Sequence, residues 1–285
     1  MKINTNVAAL NAMESNANTQ RNLASSLEKL SSGLRINKAS DDASGLSIAD
    51  KLRTQASSVN QAVSNGNSAV SLLQIADKAM AEQSNILDIV KTKLIQAGTG
   101  TTSSAGRTAI AKDVSKLLDQ LNQIAIQTNY NGVQLLQAST TLNATGSAAL
   151  TFQMGEASTN TITSASGVRA NVSGLTLTSL KADAAASAVF TATMATDGMA
   201  EIDTAIDQLN TWRSDFGSTQ NQIESAVRNL STQHTNIKAA ESVIRDVDYA
   251  QESANFNKQN IIAQAGTYAL SQANQVSQNV LRLLQ

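Results

Sequence analysis

The sequence predicts a mainly α protein. It reads as a long antiparallel helical bundle or coiled coil with a small β-hairpin region and paired N- and C-terminal helices. Three observations predict this. Apolar residues recur at three- and four-residue steps through both ends of the chain. No proline occurs in 285 residues, where average usage would supply about fourteen, and proline is the residue most hostile to a helix interior. A stretch rich in Ser, Thr and Gly separates the two striped halves.

The first stripe is Ile3, Val7, Leu10, Met13, Ala17, Leu23, Leu27, Leu30 and Leu34. It is the apolar face of an amphipathic helix, with Gly33 as a C-terminal stop. Residues 35–56, rich in Asn, Ser, Asp and Gly, read as irregular or broken helix. A second stripe, from Val59 through Val63, Val70, Leu73, Met80, Leu87 and Val90 to Leu94, predicts a helix over 57–97, broken by the glycines at 98, 100 and 106. The third stripe runs from Ile110 through Val114, Leu117 and Leu121 to Ile124, and Asn129-Tyr-Asn-Gly132 then signals a turn.

Residues 133–195 carry short runs, Ala149–Met154 and Thr159–Thr163, joined through Gly155. They predict one or two β-hairpins. With few large apolar residues, the stretch reads as surface rather than as a domain. Helical pattern returns at Ile202, Ile206, Leu209, Trp212, Phe216, Ile223, Val227, Leu230, Ile237 and Ile244, predicting a helix over 197–245. The last stripe is Ile262, Gly266, Ala269, Ala273, Val276, Val280 and Leu283. Its alternating four- and three-residue spacing is that of a coiled coil, and its small residues allow close helix approach.

The expected organisation follows: 1–40 and 246–285 form an inner coiled-coil core, 41–56 a linker, 57–132 and 197–245 the two halves of the bundle, and 133–196 the hairpin and Ser/Thr-rich surface segment. The terminal helices have stripes but too few partners within one chain. An isolated helix pair is marginal in water, so self-assembly is the natural completion. Ile3, Val7, Leu10, Leu27, Leu30, Leu34, Ile262, Gly266, Ala269, Ala273, Val276, Val280 and Leu283 are therefore the expected polymerisation interface.

Composition excludes several functions. Without cysteine there are no disulfides, thiolate metal sites or Cys nucleophiles, and one histidine rules out His-cluster zinc sites. A net charge of −1 argues against nucleic-acid binding. Charged residues are only 15% of the chain, with uncharged polar residues in their place. Such surface suits subunit contact, because burying amides and hydroxyls costs less than burying ions. The run 259–281 has no ionisable group except Tyr268, yet its six Gln and Asn residues from Gln264 to Asn279 make it too polar to span lipid. No cofactor, metal or catalytic site is expected.

Isolated motifs have plainer readings. Gly100-x5-Gly106-Arg-Thr108 differs from a phosphate loop in spacing, in having Arg for Lys, and in following no strand. It reads as an interhelical loop. His234 reads as a packed or interface residue, since no acid–nucleophile constellation accompanies it. Asp41-Asp42 reads as helix capping or subunit contact rather than an ion site. Asn143, Asn171 and Asn229 match the N-glycosylation pattern by chance.

Several runs resemble bacterial flagellin. They are Ile3-Asn-Thr-Asn6, Leu30-Ser-Ser-Gly-Leu-Arg-Ile-Asn37, Asp41-Asp-Ala-Ser-Gly-Leu-Ser-Ile48, Asn129-Tyr-Asn-Gly-Val133, Lys238-Ala-Ala-Glu-Ser242, Arg245-Asp-Val-Asp-Tyr249 and Val280-Leu-Arg-Leu-Leu284. The resemblance covers about 1–135 and 200–285; the middle lacks the outer domains of larger flagellins. It implies a minimal flagellin: a subunit that polymerises with many copies of itself into the extracellular flagellar filament used for swimming. The paired helices, 1–34 and 248–285, would line the inner tube, with the bundle as the next shell. It also implies unfolded export through the flagellar type III apparatus, an export chaperone, contacts with flagellar junction and cap proteins, and O-linked glycans on the Ser/Thr-rich middle. A hook–filament junction protein is the rival reading, disfavoured by flagellin-like motifs at both ends.

The resemblance also bears on recognition by an animal host. Flagellins detected by the animal Toll-like receptor carry a run like Leu-Gln-Arg-Val-Arg-Glu-Leu-Ala-Val-Gln. Here the run is Leu87-Asp-Ile-Val-Lys-Thr-Lys-Leu-Ile-Gln96. Leu87, Val90 and Gln96 are kept, whereas Ile89, Lys91 and Lys93 replace Arg, Arg and Leu. Lys lacks the guanidinium fork, and a charge at the Leu position adds desolvation cost. Weak or absent receptor binding is expected.

Overall fold

A computed structural model describes residues 5–141, 144–164, 166–186 and 190–283. The order is α1 (Val7–Ser32), α2 (Ala43–Gly98), α3 (Ser104–Gln127), β1 (Asn129–Tyr130), β2 (Val133–Gln134), β3 (Thr151–Gln153), β4 (Thr161–Thr163), α4 (Thr178–Ala185), α5 (Ala192–Arg245) and α6 (Tyr249–Leu283). The chain divides into two compact units, Met1–Ser57 with Thr235–Gln285, and Ser58–His234. Among the described residues no helix is long and apolar enough to cross a membrane.

In the first unit α1 packs against α6. Asn6 caps α1, its Oδ1 accepting from Ala9 N at 3.1 Å. Gly33 closes the helix at φ 73°, a left-handed conformation that glycine adopts without steric cost. The chain then pairs with the segment before α6. Arg35 N donates to Arg245 O at 2.7 Å, Val247 N donates to Gly33 O at 3.0 Å, and Leu34 bridges Asp246.

Helix α2 begins at Ala43, so the expectation of irregular chain over 35–56 is corrected for 43–56. Composition suggested a break, but Asp42 Oδ1 accepts from Gly45 N at 2.8 Å and supplies the cap. Ala49 and Ala56, one heptad apart, are fully buried and hold the first turns in place. A Cβ on Gly45 would lie 2.5 Å from Asp42 Oδ2 and 2.8 Å from Ile36 Cδ1, so any larger residue there would displace the capping carboxylate.

The second unit has a continuous apolar core. Leu73, Met80, Leu87, Val90 and Leu94 of α2 are buried, as are Val114, Leu118 and Leu121 of α3 and Ile202, Leu209 and Ile223 of α5. The middle segment departs from the expected surface stretch. Leu135, Leu136, Val172, Leu175, Leu177, Leu180 and Phe190 are all buried. The segment is held from the helices: Val172 N donates to Asn122 Oδ1 at 2.9 Å, and Gln83 Nε2, which also donates to Leu121 O at 3.1 Å, donates at 2.7 Å to Ala170 O, whose own N donates to Leu136 O at 2.9 Å. The expected hairpin forms as β3–β4, pairing Phe152 with Ile162, and Asn131-Gly132 turns β1 into β2 with both residues at positive φ.

Candidate assembly surface

The two terminal helices run antiparallel, fixed at both ends. Asn6 Nδ2 donates to Ala273 O at 3.0 Å at one end. At the other, Ser26 Oγ donates to Glu252 and Tyr249 Oη donates to Leu30 O at 3.1 Å. The residues facing inward on α1 are small or polar: Ala9, Ala12, Asn16, Thr19 and Ser26, with Leu23 and Leu30 half-buried among them. Opposite lie Phe256, Ala263, Gly266, Leu270 and Ala273 of α6. A Cβ on Gly266 would sit 3.5 Å from Asn16 Oδ1, an ordinary contact distance, and that oxygen is buried without a hydrogen-bond partner.

Several other large apolar residues point elsewhere. Val7, Leu10, Met13 and Leu27 on α1 are exposed, as are Ile262 and Val276 on α6. The stripe expected on α6 therefore splits. Gly266 and Ala273 face α1, while Ile262, Ala269 and Val276, seven residues apart, lie outside the seam. Leu30 and Leu34 are half-buried. Ile3 and the Val280 and Leu283 side chains lie outside the described part of the chain. Met13, Ile261 and Tyr268 were not among the expected interface residues, yet Ile261 and Tyr268 are 68% and 74% exposed. Their seven-residue separation was the available signal.

Charge around the helix junction is local. Lys38 Nζ pairs with Glu28 at 2.6 Å, and that hydrogen bond raises the lysine's pKa. Asp41 Oδ2 accepts from Asn37 N and Lys38 N at 3.1 and 3.0 Å. These backbone donors, Lys38 first, stabilise the carboxylate and lower its pKa. Asp41 and Asp42 are thus spent on the turn and the α2 cap.

The other candidates resolve similarly. Arg107 Nε and its guanidinium donate to Ala97 O and Thr99 O at 3.0 and 3.2 Å, covering the carbonyl end of α2 rather than a phosphate. His234 is half-buried on α5. Asn171 is buried, donating to Gln137 Oε1 and Ala144 O, and Asn143 lies outside the described residues.

The six residues singled out in the run 87–96 lie on different faces of α2. Leu87 and Val90 are 0% exposed, locked in the bundle core by the helical period. Ile89 and Gln96 are exposed. Lys91 pairs with Asp203 on α5, whereas Lys93 pairs with Asp113 on α3 at 3.0 Å.

Long antiparallel terminal helices that leave Val7, Leu10, Leu27, Ile262 and Val276 exposed fit a helical structural protein that associates with further copies of itself. Comparison with known proteins agrees. The family model for the bacterial flagellin N-terminal helical region matches residues 3–141, and that for the C-terminal helical region matches 199–284. The chain is 38% identical to a flagellin of Bacillus subtilis (strain 168) and 35% identical to the flagellar filament 33 kDa core protein of Treponema phagedenis, with all chains covered in full. A structure described as a flagellar hook-associated protein of Vibrio parahaemolyticus shares the fold at 13% identity and a TM-score of 0.59, over 72% of this chain and 99% of its own. The chain belongs to the bacterial flagellin family. It is a structural subunit of the extracellular flagellar filament, and its relatives are structural proteins rather than enzymes.

Proposed function

We propose that polymerisation runs through the face that α1 and α6 leave open: Val7, Leu10 and Leu27 with Ile262, Ala269 and Val276, occupied in the filament by further copies of this chain. Gly266, Ala273, Leu30 and Leu34 act indirectly, by bringing the two helices together. Ile3, Val280 and Leu283 continue the sequence spacing toward both termini. The observation that carries the reading is that Val7, Leu10, Leu27, Ile262 and Val276 stand in solvent beside a seam of small and polar residues in which Leu23, Leu30, Phe256 and Leu270 are only half-buried. Leaving such residues exposed stabilises nothing in a monomer, whereas burial releases about 1.5–3 kcal/mol per large side chain. Residues 1–40 and 246–285 form the inner core of the filament in this reading, and 57–132 with 197–245 the shell around it. Deleting 263–285 tests it. The shortened chain is expected to stay soluble and helical yet fail to grow on filament seeds; growth at the full-length rate would refute the reading.

The same open apolar face suits the other partners of a secreted subunit: an export chaperone before passage through the type III apparatus, then junction and cap proteins outside. O-linked glycans would attach to exposed hydroxyls of the middle segment, such as Ser139, Thr140, Ser158 and Thr159. Recognition by the animal flagellin receptor is weak or absent. Ile89 supplies no guanidinium, and Lys91 and Lys93 are engaged by Asp203 and Asp113. In a receptor reporter assay the unaltered monomer is expected to be nearly silent, with partial gain in the triple variant Ile89→Arg, Lys91→Arg, Lys93→Leu. Full activation by the unaltered protein would refute this.

A further inference from the structure

The chain has six methionines. Met1 lies outside the described residues. Met80 and Met154 are buried, the latter with its Cε against the position a Cβ on Gly66 would take. Met194 and Met199 are half-buried. Met13 differs from these: it is 60% exposed, on α1, one turn beyond Leu10 in the open apolar face. A thioether in that position is accessible in the free subunit and sealed from solvent once a second copy covers the face.

We propose that Met13 is an oxidation site that decides whether a secreted subunit can join the filament; this rests on the assembly reading above. The co-reactant is a peroxide. The Met13 sulfur attacks one peroxide oxygen, the O–O bond breaks as the S–O bond forms, and the second oxygen leaves with its electron pair as hydroxide, which becomes water by taking the proton given up by the oxygen now on sulfur. Sulfur loses two electrons and peroxide gains them. The product, methionine sulfoxide, carries a strong dipole in place of a soft apolar sulfur. In the free subunit that dipole is hydrated, so the fold is undisturbed. In the assembled face that dipole must shed its water at the cost of burying a polar group, beside Leu10 one turn before it and Ala17 one turn after it, while Asn16 is turned into the seam against Gly266. Oxidation therefore stops addition of new subunits while leaving assembled ones protected, and reduction of the sulfoxide restores competence.

The experiment uses the full chain, hydrogen peroxide, peptide mapping by mass spectrometry and growth on filament seeds. Oxidised wild-type subunits are expected to carry sulfoxide at Met13, keep their far-UV circular dichroism, and grow about tenfold more slowly or worse, the equivalent of one lost apolar contact. Methionine sulfoxide reductase is expected to restore the rate. Preformed filaments are expected to resist oxidation at Met13. Met13→Leu, compared with its own untreated rate, is expected to lose nothing to peroxide although the other methionines remain. Met13→Gln, a neutral polar side chain, is expected to grow more slowly than Met13→Leu without any oxidant. Undiminished growth of protein fully oxidised at Met13, an equal peroxide loss in Met13→Leu, or oxidation of Met13 in filaments at the free-subunit rate would each overturn the proposal. Failure of untreated wild-type protein to grow on seeds would instead remove the assembly reading on which it rests.

Discussion

Asn6 holds both ends of the chain together: its Nδ2 donates to the main-chain carbonyl of Ala273, 3.0 Å away across 267 residues of sequence. Its Oδ1 simultaneously caps α1 by accepting from Ala9 N. Two substitutions separate the roles. Asn6→Asp keeps the cap acceptor but loses the donor, and sets a carboxylate against a carbonyl. Asn6→Ala loses both, at a cost of about 1 kcal/mol for the cap alone. Helical content measured by circular dichroism is expected to fall for Asn6→Ala more than for Asn6→Asp, while both raise the subunit concentration needed for seeded growth. Equal helicity in both variants would show that Asn6 does not cap α1.

Gly266 lies against Asn16 across the helix pair. One methyl group would meet Asn16 Oδ1 at an ordinary 3.5 Å, and alanine favours a helix over glycine by up to about 1 kcal/mol. Gly266→Ala is therefore expected to preserve or raise the melting temperature of the terminal helices. Gly266→Leu overfills the seam and is expected to cost about 1–3 kcal/mol. Thermal melts followed by circular dichroism decide this; a leucine variant as stable as wild type would show the pair to be loose.

The turn before α2 carries a pH dependence. The pKa of Asp41 is lowered from its ordinary value of 3.8 by the Lys38 and Asn37 amides. A carboxyl lowered in the folded state contributes stability that is present above its unfolded value and is lost as pH falls through the folded one. The melting temperature of wild type is therefore expected to fall more between pH 7 and pH values below 3.8 than that of Asp41→Asn, whose amide oxygen still accepts but carries no charge. Parallel pH profiles for the two proteins would contradict the assignment.

Asn171 is the densest point of the buried polar latch in the middle segment. It donates to Gln137 Oε1 and Ala144 O at 3.0 and 3.1 Å and accepts from Gly174 N at 2.8 Å. Asn171→Ala removes the partner of Gln137 Oε1 and Gly174 N, whereas Ala144 O keeps its bond from Arg169 Nε at 2.9 Å, so the expected cost is about 1–3 kcal/mol. Urea unfolding is expected to shift its midpoint downward by the corresponding amount. A shift too small to resolve would mean that water replaces the side chain.

Apart from α4, which falls in the stretch expected to be hairpin and surface, the helices were legible because their apolar spacing is long, and Gly33 and the glycines from 98 onward punctuate it. The hairpin was legible from Gly155 between two β-rich runs. Three features were hidden. The start of α2 looked irregular because Asp, Ser and Gly are poor helix formers, and only the Asp42 cap and the buried Ala49 offset that. Leu135, Leu136, Leu175 and Leu177 showed no period because they enter the core from loops tethered by Gln83 and Asn122. Within the helix pair, Ala9, Ala12, Asn16 and Ser26 look like an outer surface by hydrophobicity yet face α6. A stripe shows that a face is to be buried, without showing whether its own chain or another copy covers it.

That distinction can be measured directly. Leu10→Asn combined with Leu27→Asn changes two exposed residues that make no seam with α6. The double variant, seeded with filament fragments and viewed by electron microscopy, is expected to keep wild-type circular dichroism and melting while forming no filaments at concentrations where wild type grows long ones. Filaments as long and as numerous as those of wild type would contradict assembly through the open face of the terminal helices.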